Sequence, residues 1–579
     1  MAAKLEQESY DVIVIGAGFG GLITAHRYLG AHPSASLIIL DRNVHVGGVW
    51  SRDRIYPGFY TQFVKGLAEF SDLALPPPSP EDCVGDCFKA VCMSRYLDDF
   101  AEKMVHGGKS LRERYRRAEV LDTSPDDVHI SVTSGPKPPT TLFTAHKLVI
   151  ATGEFSRPNI PTFKNQSAFD APIIHSTNFG ESNILATPNI KHFAVLGAGK
   201  SAADMLYIML KSLPPDAKAH WIIRDDGTGP GFFAPIDLPS PYANAVDAAN
   251  TYAMGLLQPS LWHDEKSWWV WFLHQTWLGI WLVTFIFGSL DDASRKRAGY
   301  ATRGGDAKKR GFDQLDYSPG VFWMNGPGGA LHHADFWDVV AERVTVHRTS
   351  IEELGPHTLA LSNGTSISCD ALLLGTGWTP SLSFISPALA AQLGLPHSPS
   401  MITAKEKARW AALDTDATKN VLARFPLLAN PPPHRLKGRP TTPYRLYRGM
   451  APLSDIQTRS IVFTNFLVSG NMIMNAEIQA LWATAYLSSS PALHLPSLAE
   501  MQMSVSEQVI WSQKRYLSMG QAGNYAGFDS MAYWDVVLRD VGQERCWEKR
   551  GVWGVRRARD LRNAWEGYLE GERRREKGG

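Results

Sequence analysis

The chain has 579 residues, several times the roughly 100–150 of one domain, which sets aside a single small module. Lys and Arg total 58 against 57 Asp and Glu, a formal charge of +1 with no long block of one sign, so nucleic acid is not an expected partner. Apolar residues make up 44% and charged residues only 20%, which calls for a large buried core and excludes a mostly disordered chain.

Tyr10 to Gly30, YDVIVIGAGFGGLITAHRYLG, reads as a β-branched strand, a glycine turn and a helix, the opening of a βαβ unit. Two further apolar runs follow, SLIILD ending at Asp41 and HKLVIATG ending at Gly153. Proline-rich breaks at Pro76 to Pro80 and Pro136 to Pro139 mark surface loops. From Lys191 the segment KHFAVLGAGKSAADMLYIML repeats the opening pattern, and a strand follows near His220 to Gly227. An aromatic insert then runs from about Gly229 to Asp316, and strand character resumes near Val344 and at Asp370 to Trp378. A proline-dense connection, Pro431 to Pro443, precedes a helical stretch at Asn475 to Leu487. The C-terminal stretch, rich in Arg, Lys, Glu and Trp, reads as a solvated helix.

Gly16, Gly18 and Gly21 form GxGxxG between strand and helix, where glycine permits the tight turn and lets backbone N–H groups approach a pyrophosphate. Asp41, at the end of the next strand, is placed to accept hydrogen bonds from ribose hydroxyls. Gly197, Gly199 and Ala202 form GxGxxA in the second unit, with the small Ser201 at its crowded position. There the strand ends on Arg224, and a cation at that offset suits the 2′-phosphate of NADPH. The competing reading makes Arg224 a surface arginine paired with Asp225 or Asp226.

Together these residues resemble the flavin-dependent monooxygenases, the family that includes the flavin-containing and Baeyer–Villiger monooxygenases, and its fungal members in particular. Asp41 with Gly47 to Trp50 is similar to the family's acidic residue and GGxW element. Phe169, Ala171, His175 and Phe179 resemble its FxGxxxHxxx(F/Y) fingerprint, with alanine in place of the glycine. LVIATG and LLLGTG are similar to its two interdomain strands, and Tyr56 to Gly58 and Phe70 to Asp72 also match, so the resemblance spans about Tyr10 to Gly542. It implies an α/β fold of two Rossmann-like domains with a mostly helical, aromatic-rich insert. FAD is then expected on residues 1–155 and 380–579, NADPH on 156–228 and 320–379, and the insert at 229–319. The expected FAD contacts are Gly16, Gly18, Gly21, Asp41, Gly48, Trp50, Thr61 and Val120, and the expected NADPH contacts are Gly197, Gly199, Ser201 and Arg224. His175 is expected to hold the two domains in register rather than to transfer protons.

The implied activity is insertion of one oxygen atom from O2 into a small lipophilic metabolite, as in fungal secondary metabolism. Aligning Phe70 to Asp72 with the family places Gln62 where the flavin-containing members carry an asparagine near flavin carbon 4a, making it the candidate catalytic amide. Trp323 to Gly329 contains no arginine where Baeyer–Villiger members place one, and Arg310 is near enough in sequence to keep that chemistry open. Hydroxylation or heteroatom oxidation is therefore preferred over ester or lactone formation. A nonenzymatic flavin-binding redox sensor is the reading from another class. A disulfide reductase is disfavoured because Cys83 and Cys87 do not form CxxC, and no metal site or GxSxG elbow is expected.

Five cysteines and the lack of an apolar signal segment ahead of Asp11 fit a cytoplasmic location. Ser267 to Ser289 contains no formal charge and is long enough to span a bilayer as one helix, yet it holds five Trp, which prefer the membrane interface. Three readings follow: a buried helix lining a lipophilic cavity, which is preferred, then a monotopic membrane helix giving peripheral membrane contact, then a true span.

Overall fold

The computed structural model describes residues 6–125, 130–134, 141–188, 190–235, 241–379 and 381–578, so the proline-rich break at Pro136 to Pro139 lies outside the described residues. In the first half, β1 (Glu6–Ile15), helix α1 (Phe19–Ala31) and β2 (Leu37–Asp41) form the βαβ opening, followed by β3 (Tyr60–Val64) and β4 (Tyr115–Arg117). Then come β5 (Val120–Pro125), β6 (Ile130–Ser134) and β7 (Thr141–Ile150). Apart from β3, these strands form one sheet in the order β4-β2-β1-β7-β6-β5. β1 lies parallel to both β2 and β7, and β6 runs antiparallel to β7. Val12, Ile13 and Val14 are fully buried, so this stretch reads as a continuous apolar run because both faces of the sheet are covered.

The second half repeats the opening with β8 (Ile173–His175), β9 (His192–Leu196), α2 (Lys200–Ser212) and β10 (Lys218–Ile223). β11 (Phe232–Pro235) leads into the insert, whose main helices are α3 (Trp268–Gln275) and α4 (Trp277–Ala298). The chain returns through β12 (Gly328–Leu331), β13 (Val344–Arg348) and β14 (Ala371–Leu374). Among the described residues the second sheet has the order β8-β14-β9-β10-β13, with every pairing parallel. β15 (Ile461–Phe463), far along the chain, joins the first sheet beside β7, and α5 (Met472–Leu487) packs on α1. The fold is thus α/β with two Rossmann-type halves.

Two expectations are corrected. Ser267 to Ser289 is not one helix lining a cavity. Thr276 accepts the N–H of Gly279 and restarts the chain as α4, which is bent by 77° from α3. Gly279 is required there because a Cβ would lie 1.9 Å from the Phe272 carbonyl oxygen. All five Trp of the pair face outward, 48–80% exposed. Among the described residues no single helix is long and apolar enough to cross a membrane. The C-terminal helix α6 (Leu561–Gly578) is also not simply solvated: Leu561, Ala564, Trp565 and Tyr568 are buried, and Arg27 lies 4.8 Å over the Trp565 ring.

Arg27 of α1 is only 1% exposed, and its cation is met from two sides. Its Nη1 pairs with Asp72 at 2.6 Å, and its Nη2 pairs with Glu477 of α5 and donates to Ser71 Oγ at 2.8 Å. Burial pushes Asp72 upward, but the His26 hydrogen bond and Arg27 outweigh it and hold the carboxyl at about 2. Glu477 lies deeper, and burial lifts its carboxyl above the usual range against the pull of Arg27. The lowered Asp72 value contributes stability that is fully present above an unfolded carboxyl's ~3.9 and is lost as pH falls through about 2. Arg27→Met leaves two carboxylates without their buried cation and should cost about 3–5 kcal/mol in urea denaturation at neutral pH. The loss should shrink on acidification, because protonation relieves the orphaned carboxylates, and Arg27→Met/Glu477→Gln should recover part of it.

Candidate active site

The turn after β1 is shaped by backbones that approach too closely for any side chain. Gly16 has φ +110°, and a Cβ there would lie 2.5 Å from the Ala151 carbonyl oxygen at the end of β7. A Cβ on Gly21 would lie 1.9 Å from the Gly16 oxygen, so this third glycine closes helix onto strand and does not line the cavity. Helix α1 begins after Gly18 with no side-chain cap and no acid in its first turn, leaving its N–H groups and positive end for an anion.

A cavity opens at that helix end, with Gly16, Gly18, Asp41, Gly48 and Val120 on its wall. Asp41 Oδ2 accepts the Ala17 N–H at 2.8 Å, and its Oδ1 accepts from Asn43 N and Nδ2 at 2.9 and 2.8 Å. The carboxylate therefore braces the glycine turn while presenting remaining lone pairs to the cavity. Gly48, at φ +60°, packs so closely that a Cβ would sit 3.0 Å from Gly18 Cα, which brings the GGVW backbone against the turn. Glycine cradles, an uncapped helix end and an acid at the strand terminus together fit the diphosphate and ribose of FAD.

Sequence reasoning missed several wall residues. Arg42 and Arg54 both donate to the Ser156 carbonyl and place two cations on the cavity rim. Glu154 follows the ATG segment and accepts the Tyr444 hydroxyl at 2.6 Å, and burial raises its carboxyl against that hydrogen bond. The arginines flank motifs without belonging to one, and Glu154 is paired by a residue 290 positions away. No local pattern marks them.

Trp50 and Thr61, expected at the cofactor, lie in the core instead. Trp50 stacks on Phe59 with centroids 5.3 Å apart, and the fully buried Thr61 donates its hydroxyl to the Phe63 carbonyl at 2.8 Å. Gln62 is exposed and lies off the cavity wall, its Oε1 accepting the Ala330 N–H of β12 at 2.8 Å. Next to it, His332 Nε2 donates to the Thr61 carbonyl at 2.7 Å. Burial and then the Lys200 cation push His332 down to about 3, so it stays neutral. These two bonds join β3 of the first half to β12 of the second.

The second turn repeats the first. Gly197 has φ +132°, a Cβ there would lie 2.2 Å from the Gly375 oxygen, and α2 starts after Gly199 without a side-chain cap. Gly197, Gly199, Ser201 and Arg224 do not line the first cavity or a second pocket, which carries Arg348 and Arg435 beside Gly227 to Pro230. Arg224 is half-exposed, with Nη1 3.7 Å from Asp226, a distance that leaves its fork available. Lys437 lies nearby, its ammonium pushed down by burial and then by Arg224. His175 Nε2 meets the Gly377 carbonyl at 3.1 Å and its ring packs edge-on to Trp378, a contact between the two linkers. Arg310 donates to the Ala341 carbonyl at 2.6 Å and so is committed to the helix before β13. Cys87 is buried, its thiol pushed up to about 11, and both Cys83 and Cys87 are free thiols.

Residues 113–240 match the family described as L-lysine 6-monooxygenase/L-ornithine 5-monooxygenase. An FAD-dependent monooxygenase of Pyrenophora dematioidea is 33% identical over 571 residues, covering 94% of this chain and 100% of that protein. The FAD-dependent monooxygenase DEP4 of Fusarium langsethiae is 30% identical, covering 92% of this chain and 90% of its own. An oxidized steroid monooxygenase bound to NADP shares the fold with a TM-score of 0.57 at 17% identity, over 94% of this chain and 99% of its own.

Asp41→Ala removes the brace on Ala17 together with the carboxylate that lines the cavity. It should weaken FAD binding by about 1.5–3 kcal/mol, roughly 10- to 100-fold in Kd. Fluorescence titration of the flavin-free protein reads this directly, and unchanged affinity would confine Asp41 to bracing the turn.

Proposed function

The chain belongs to the FAD-dependent monooxygenases, and from that premise we propose that it uses NADPH and O2 to insert one oxygen atom into a small lipophilic metabolite. The observation that carries the reading is the cavity at the uncapped start of α1, where glycine backbone and Asp41 fit FAD. Bound there, FAD supplies two-electron redox chemistry and oxygen activation. Gly16, Gly18 and Gly48 seat the diphosphate, Asp41 holds the ribose, and Arg42 and Arg54 offset the diphosphate charge from the rim.

The second turn, from Gly197 to Ser201, is the seat we propose for NADPH, with Arg224 and Lys437 on the 2′-phosphate. The NADP in the structurally similar steroid monooxygenase supports this choice of reductant. We assign Gln62 to the junction of the two halves: its carbonyl is held by Ala330, and its amide N–H groups remain as donors for orienting the cofactors or the oxygen being transferred. Hydroxylation or heteroatom oxidation is the preferred outcome, supported by the lack of arginine in Trp323 to Gly329 and by the commitment of Arg310 to Ala341. Membership of this family sets aside the nonenzymatic sensor.

The purified protein should be yellow, oxidise NADPH, and transfer label from isotopic O2 to a member of a panel of amines, sulfides, phenols and ketones. Efficient lactone formation from a ketone would overturn the preference for hydroxylation. Arg224→Ala should raise KM for NADPH roughly 10- to 100-fold, the worth of a charge-assisted contact, and leave that for NADH unchanged. Equal weakening of both would make Arg224 structural. Gln62→Ala should leave flavin reduction intact while diverting NADPH to hydrogen peroxide, and unchanged coupling would remove Gln62 from the mechanism.

A further inference from the structure

The insert presents an apolar surface that the site does not use. On α3, Trp268, Trp269 and Trp271 are exposed, and on α4 so are Trp277, Trp281 and Phe285. Trp268 stacks on Phe272 with centroids 5.3 Å apart, and Trp281 stacks on Phe285 at the same separation, so each helix holds its outward rings in an ordered pair. We propose that this bent helix pair is a monotopic docking surface for an anionic lipid bilayer.

Three observations select that occupant. First, the exposed side chains are mostly Trp, whose amphipathic ring partitions to the headgroup level, and scattered surface apolars do not produce six aromatics on adjoining helices. Second, the geometry lays the pair along a surface rather than through one. The uncharged part of α4, Trp277 to Leu290, spans about 21 Å at 1.5 Å per residue, short of the ~30 Å hydrocarbon core, and α3 leaves it at 77°. The opposite faces are fixed to the body. Phe287 packs edge-on to Phe322 at 5.2 Å, Asp291 accepts the Tyr317 hydroxyl at 2.7 Å and the Val321 N–H at 2.9 Å, and His274 donates to the Leu256 carbonyl at 2.9 Å. Third, charge follows the aromatic stripe. The exposed line through Trp281, Phe285 and Ser289 continues past Asp292 to Lys296. Arg295, Arg303 and Lys309 pair with Asp316, Asp338 and Asp306, and Arg310 with the Ala341 carbonyl, while Lys296 and Lys308 are exposed and complementary to anionic headgroups.

Vesicle flotation of the FAD-loaded full chain tests this. The protein should float with vesicles of equal parts phosphatidylcholine and phosphatidylserine, less with pure phosphatidylcholine, and less at high salt. Trp271→Ser/Trp277→Ser/Trp281→Ser should lower the bound fraction about tenfold with flavin content unchanged, since the three rings are surface-exposed. Trp277→Ser alone, at the most exposed ring, should act in the same direction if the triple variant loses flavin. Lys296→Glu/Lys308→Glu should weaken binding to the mixed vesicles only. Wild-type protein that floats with neither vesicle, or Trp variants that float as well as wild type, would overturn the proposal. So would a dimer that the Trp substitutions dissolve in a protein indifferent to lipid, which would make the face a contact between copies of the chain.

Discussion

Both halves depend on a backbone crossing that tolerates no side chain. At Gly16 the first strand touches the carbonyl of Ala151, and at Gly197 the equivalent strand touches that of Gly375. Each contact brings the end of the opening strand against the end of the return strand that carries ATG or GTG. The helix that follows is drawn in equally tightly: Gly21 abuts the Gly16 oxygen, and a Cβ on Gly375 would meet Ala202 Cβ at 2.5 Å. The small residue at the third motif position thus serves helix–strand closure, the first donates its N–H to the next strand, and the second opens a helix end that has no side-chain cap. One geometric demand creates the anion seat and also explains why the distant ATG and GTG segments end where they do.

The crossing also explains which site residues were legible. Gly16, Gly18, Gly48 and Asp41 act through backbone geometry or through a partner only a few positions from a strand end, so spacing reveals them. Trp50 sits in an equally recognisable motif, but in this chain that motif fills the core, where Trp50 enters a ring stack with Phe59 and Tyr56, and Thr61 is buried within β3. A motif marks where the chain must pass and does not distinguish a residue that touches the ligand from one that holds the wall. Arg42, Arg54 and Glu154 were invisible for the opposite reason, since their placement depends on Ser156 and Tyr444, which only the folded chain brings near.

The insert shows a different limit. Composition identified an uncharged aromatic run, and the preferred reading buried it. What decides the matter is the break at Thr276, whose hydroxyl caps Gly279, and the missing Cβ at Gly279, which lets α4 start against the Phe272 carbonyl. These are small local features, but by turning the chain they place Val283 and Phe287 on the body and leave the Trp rings outside. In the same way the arginine-rich C-terminus looked solvated until Trp565 and Tyr568 supplied a buried stripe within an otherwise charged helix. Average polarity hid the periodicity that matters.

The junction between the halves is built asymmetrically. On the first half, Gln62 offers a side-chain oxygen and Thr61 a carbonyl; on the second, Ala330 offers a backbone N–H and His332 an imidazole. His332 fills its role only as the neutral ring, since Lys200 Nζ lies 3.3 Å from its other nitrogen and leaves no room for a second proton there. Lys200 is in turn held by Asp204, one turn along α2. The first turn of the second dinucleotide helix is therefore wired through His332 to the strand that carries Gln62. Lys200, in the first turn of α2 beside Gly197 to Ser201, is thereby linked through His332 to the Thr61 carbonyl, immediately beside Gln62 and its own bond to Ala330.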